Sequence, residues 1–73
     1  MIEIRLKEAM QLYEAVTGER LTYEELAERT GLSAATLHSM ATRRGYNASL
    51  RTLEKICHSL RCTPGDLLQM DET

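Results

Sequence analysis

Apolar residues recur at helical spacing along most of the chain, and that pattern divides it into five segments. Leu6, Ala9, Met10, Tyr13 and Val16 fall three to four apart, which predicts an amphipathic helix from about Arg5 to Thr17, closed by Gly18. Before it, Ile2, Glu3, Ile4, Arg5 and Leu6 alternate apolar and charged, as a short strand would or an irregular lead-in laying Ile2 and Ile4 on the core. The lead-in is expected, since five helices require no strand. Thr22 with Glu25 forms a capping box that opens a second helix with Leu26 and Ala27 inward, and Gly31 stops it. Ser33 caps a third helix over about 34–43, whose Leu37, Met40 and Ala41 share one face; Gly45 ends it. After a loop at Tyr46 to Ala48, Ser49 caps a fourth helix with Leu50, Leu53, Ile56, Cys57 and Leu60 as its inner stripe. Thr63, Pro64 and Asp66 supply a cap, a first-turn proline and a first-turn acid for a short fifth helix burying Leu67 or Leu68.

The stretch LTYEELAERTGLSAATLHSM, residues 21–40, therefore writes helix, one-glycine turn, helix. The outward face of the third helix carries Ala34, Ala35, His38, Ser39 and Thr42. An ordinary solvated helix would be dressed with Glu and Lys for propensity and solubility. This one is small, polar and free of carboxylates, which suits close approach to another surface such as a major groove. The same spacing also fits a corner between two helices in any small bundle.

With 73 residues the chain suits one small all-α domain, spanning residues 1–73. No apolar run reaches the roughly 20 residues that span a bilayer, and no secretion signal is seen, so a cytoplasmic protein without a membrane partner is expected. Net charge is −2, yet it is segregated: residues 1–28 sum to −4, residues 29–62 to +5 and residues 63–73 to −3. Arg29, Arg43, Arg44, Arg51, Lys55 and Arg61 stand against Glu54 alone in the middle block, a cluster that can meet phosphates despite the acidic total, or form a merely solvated surface.

Other chemistry finds little support. Cys57, His58 and Cys62 lack a fourth ligand at motif spacing, so no metal or cofactor is expected, and both cysteines are expected as thiols. A redox role for the two thiols, brought close across a helix end, stays open. No nucleophile, base and orienter occur as a set, no small-molecule substrate is evident, and an enzyme is not expected. Met10, Met40 and Met70 read as core filler.

Residues 21–40, followed by SLRTLEKICHSLRCTPGDLL at residues 49–68, resemble the Cro and lambda-repressor class of helix-turn-helix domains, the Xre-like regulators of bacteria and phages. The IC, L, C spacing of residues 56–62 with PGDLL resembles a compact branch of that class. The resemblance, covering about Leu6 to Leu68, implies a five-helix bundle whose second helix braces on the DNA backbone and whose third lies in the major groove. It implies DNA contacts by Thr22, Tyr23, Ser33, Ala34, Ala35, Thr36, His38, Ser39, Thr42, Arg43, Arg44 and Arg51. Tyr23 stands where the class often has glutamine, and Ala34 and Ala35 stand at base-facing points where it often has glutamine, arginine or asparagine. Alanine offers a base edge only its methyl, leaving His38, Ser39, Arg43 and Arg44 to supply most discrimination. The expected function is a sequence-preferring, double-stranded DNA-binding transcriptional regulator; the alternative is an antitoxin-like or adaptor module that uses the Ala34 and Ala35 face to receive a partner helix. A single module buries little surface, so a homodimer on adjacent half-sites is expected, joined through the tail after Leu68 and the start around Ile2 and Ile4.

Overall fold

The structure, a computed structural model, describes residues 1–71. Those residues form five helices, α1 (Leu6–Thr17), α2 (Tyr23–Thr30), α3 (Ala34–Thr42), α4 (Leu50–Leu60) and α5 (Pro64–Leu67), with two short strands, β1 (Ile2–Ile4) and β2 (Leu68–Met70). Each helix contributes at least one fully enclosed side chain to a common core: Leu6, Leu26, Leu37 with Met40, Ile56 and Leu67. Leu21, in the link between α1 and α2, joins them. Among the described residues no helix is long and apolar enough to cross a membrane.

Local chemistry sets most of the helix ends. The hydroxyls of Thr22, Ser33, Ser49 and Thr63 each accept from the backbone N–H three residues on, satisfying a donor the helix itself cannot pair. Thr63 and Asp66 complete a second capping box, and the Thr63 backbone N–H, then its hydroxyl, hold the Asp66 carboxyl below its ordinary pKa. Arg61 closes α4 in the left-handed region at φ 52°, a conformation costing a non-glycine residue roughly 1–2 kcal/mol. The Cys62 N–H then donates to Cys57 O at 3.0 Å.

The lead-in expected at Met1 to Leu6 is instead β1, antiparallel to β2 with Ile2 opposite Met70, Glu3 opposite Gln69 and Ile4 opposite Leu68. Its partner lies at the far end of the chain, so periodicity near the start could not supply it. The Met1 ammonium donates to Asp71 O at 2.8 Å and the Asp71 N–H donates to Met1 O at 2.7 Å, tying the two ends together. Arg5, which begins α1 without a side-chain cap, donates its N–H to Leu67 O at 2.7 Å.

Further corrections concern phase. The third helix ends at Thr42, and Gly45 supplies a positive φ in the turn that follows rather than the helix stop. Leu50 lies outside the α4 core stripe at 84 % exposure, and Val16 outside that of α1 at 77 %. Each sits at an end of its helix, where the curve of the core has already fallen away. Met70 is also exposed rather than core: it shares a sheet face with Leu68 and Ile4, which pack on the core, but lies one step further along, at the outer end of the strand pair.

Candidate nucleic-acid interface

The pairing of α2 with α3 rests on a tight turn. Gly31 takes φ 78°, and the buried Thr30 hydroxyl donates to Leu26 O at 2.8 Å while accepting from the Leu32 N–H at 3.2 Å. That hydroxyl satisfies the turn's donor from inside, so the angle between the helices is fixed by hydrogen bonding as well as packing. Ser33 then starts α3, accepting from the Thr36 N–H at 3.0 Å and donating to the Thr36 hydroxyl at 2.7 Å. Leu37 and Met40 anchor the inner face, with Ala41 half-buried beside them.

The opposite face is open. Ala35, His38 and Thr42 are exposed, whereas Ala34, Thr36 and Ser39 are half-buried toward its margins. The Thr42 hydroxyl donates back to His38 O at 2.8 Å, which leaves its lone pairs outward. Tyr23, half-buried on the first turn of α2, meets the His38 ring edge-on with centroids 5.6 Å apart. The residue placed on the bracing helix and the one placed on the groove-facing helix are thus in contact, a juxtaposition that spacing within either helix cannot reveal. Thr22 is exposed and fully engaged with Glu25.

The basic block divides in two. Arg29 donates to the Tyr13 hydroxyl at 3.0 Å and pairs with Glu19, bonds that raise its pKa further and clasp α2 to α1. Arg44 pairs through Nε with Glu3 at 3.0 Å and through its terminal nitrogen with Asp71. Its charge is therefore answered by the strand pair, and it does not stand with Arg43 as a second outward cation. Glu3 and Asp71 were legible only as members of acidic end blocks facing a basic middle. Arg43, Arg51, Lys55 and Arg61 have no ion-pair partner among the described residues and are exposed. Arg43 sits at the end of α3, so one unpaired cation remains at the end of the exposed strip, and Arg51 places another in the first turn of α4.

The thiols of Cys57 and Cys62 are both free and lie against each other. Burial, reinforced by Cys57, pushes the Cys62 thiol up to about 11, so it stays protonated and weakly nucleophilic near neutrality.

A helix with a small-residue outer face, set across a glycine turn against a capped partner helix within a five-helix core, defines a helix-turn-helix domain. The chain belongs to the Cro/C1-type HTH DNA-binding domain family, whose sequence profile matches residues 18–72. It is similar to the uncharacterised HTH-type transcriptional regulator YozG of Bacillus subtilis (strain 168), 38 % identical over 50 residues. That match takes in 68 % of this chain and 60 % of the relative's length. The family is one of DNA-binding domains and not of enzymes.

Proposed function

We propose that the protein is a cytoplasmic transcriptional regulator that binds duplex DNA with modest sequence preference, α3 lying in the major groove. The observation that carries this reading is the exposed, carboxylate-free face of α3 at Ala35, His38 and Thr42, with unpaired Arg43 at its end and unpaired Arg51 in the first turn of the next helix. Ala34 and Ala35 let the backbone approach and offer methyl groups to thymine, while His38 and Ser39 provide the hydrogen-bonding edges. Tyr23, Thr36, Arg43 and Arg51 serve the phosphates, which fix register rather than sequence, while Thr22, Ser33 and Thr42, whose hydroxyl protons already go to Glu25, Thr36 and His38 O, shape the helix ends that present them. Arg44 contributes by bracing the end of α3. Two copies act together on adjacent half-sites, roughly one 34 Å helical turn apart, because a single small module buries little surface on DNA.

Fluorescence anisotropy of a labelled duplex pool tests this. With three to four phosphate contacts, affinity falls about 100-fold as salt rises from roughly 50 to 200 mM. Ala35→Glu, at an exposed position, is expected to abolish the association while leaving the thermal melt unchanged. Salt-insensitive binding, or an Ala35→Glu variant that binds like the parent, overturns the proposal and favours a protein-interaction role for that face.

A further inference from the structure

The outer flank of α4 combines features that the DNA-facing surface does not use. Leu50 is 84 % exposed, more than any other large apolar residue among those described. It opens a groove of about 610 Å³ that runs along the helix over Leu53 and Cys57 to Pro64. A second groove of about 510 Å³ shares Leu50 and Leu53 and continues to Met1 and Ile2, themselves 63 % and 53 % exposed, so the apolar surface is continuous across the strand pair.

Around the helix axis, Leu50, Glu54 and Cys57 fall within about 60° of one another, and Arg61, the residue that closes the helix, lines the same groove. Glu54 and Arg61 stand on either side of Cys57 in this strip, opposite in sign, exposed, and with no ion-pair partner among the described residues. An isologous interface requires each patch to complement itself, residue i meeting j and j meeting i. Two antiparallel α4 helices crossing on a two-fold axis between Cys57 and His58 satisfy this. Each Glu54 then faces the partner's Arg61, and each Leu50 reaches the Pro64 end of the opposing groove. Arg51 and Lys55 lie about 100–140° around from Leu50 and stay clear for phosphates.

We infer that α4 is the surface through which two copies of this chain pair, with Leu50 as the apolar anchor and Glu54 with Arg61 fixing the antiparallel register. This rests on the reading that two copies act together, and it moves the contact expected at the chain ends onto α4, with Met1 and Ile2 as its margin. The exposed parts of Leu50, Met1, Ile2 and Met70 amount to on the order of 500 Å² per copy, the scale of a weak, reversible interface that a shared DNA site would complete.

Sedimentation equilibrium from about 1 to 300 µM tests the inference, with the fold of each variant checked by circular dichroism. The parent chain is expected to dimerise within that range. Leu50→Ser, which removes no buried contact of the single copy, is expected to weaken pairing about 30-fold. Glu54→Arg and Arg61→Glu alone are each expected to weaken it about fivefold, and the two together to restore it to within about threefold of the parent. A parent chain that stays monomeric, a Leu50→Ser variant that pairs normally, or a double exchange no better than the singles overturns the inference. Duplex binding is read separately: salt-sensitive association by a non-pairing chain defeats the α4 surface alone, and intact pairing without duplex binding defeats the DNA reading alone.

Discussion

Adjacent arginines at the end of α3 are expected to behave differently when each is exchanged for alanine. Arg43 has no ion-pair partner among the described residues, whereas Arg44 is held by Glu3 at 3.0 Å and also by Asp71, both carboxylates only 24 % and 21 % exposed. One lost phosphate contact lowers the slope of log affinity against log salt by about 0.9, so a fourfold rise in salt changes affinity about 3.5-fold less than in the parent. Arg43→Ala should show that flattening with an unchanged thermal melt. Arg44→Ala should leave the slope nearly intact, since its charge is already answered, while removing two partly exposed ion pairs worth roughly 0.2–1 kcal/mol each from the brace between α3 and the strands. Anisotropy titrations at five salt concentrations, paired with thermal melts, separate the two. An Arg44→Ala variant that flattens the slope as much as Arg43→Ala, without losing stability, would refute the clasp.

Two further expectations concern the fold itself. Thr30→Val keeps the buried volume but deprives the Leu32 N–H of its acceptor, so urea unfolding should show a loss of about 1–3 kcal/mol from a total of roughly 4–11 kcal/mol; a loss under about 0.5 kcal/mol would show that the turn does not depend on that hydroxyl. Because folding raises the Cys62 pKa from its ordinary 9.0 to about 11, the neutral thiol's contribution is intact below pH 9 and fades as pH climbs to 11. Under reducing conditions the parent should therefore lose more stability than Cys62→Ala between pH of about 8.5 and 10.5, and equal losses would contradict the assignment.

What could be read from the chain and what could not divides by distance along it. Thr22 with Glu25, Ser33, Ser49 and Thr63 reach only three residues ahead, and each caps its helix where the spacing predicts. Leu37 and Met40 inside, with Ala35 and His38 outside, follow from a 3.6-residue repeat. The pairing of Ile2 with Met70 and the clasp of Arg44 by Glu3 and Asp71 join residues tens of positions apart, and no local rule selects those partners. Leu50 and Val16 mark a different limit: a periodic stripe says which way a side chain points, not whether the core still extends beneath it at the helix end. At the candidate interface the same division holds. The helix and its small outer face were legible, but the contact of Tyr23 with His38 and the loss of Arg44 to internal pairing depend on the assembled fold.

The hydrogen bonds between Met1 and Asp71 bring both ends of the described chain to one corner, and the Met1 thioether lies 3.4 Å from where a side chain on Gly45 would begin. A purification tag or fluorescent fusion joined at Met1 through a short linker therefore starts beside the link between α3 and α4 and beside Leu50. Labels for solution work belong elsewhere, at an exposed position such as Ala15 on α1, so that the reporter does not shield the surface it is meant to report on.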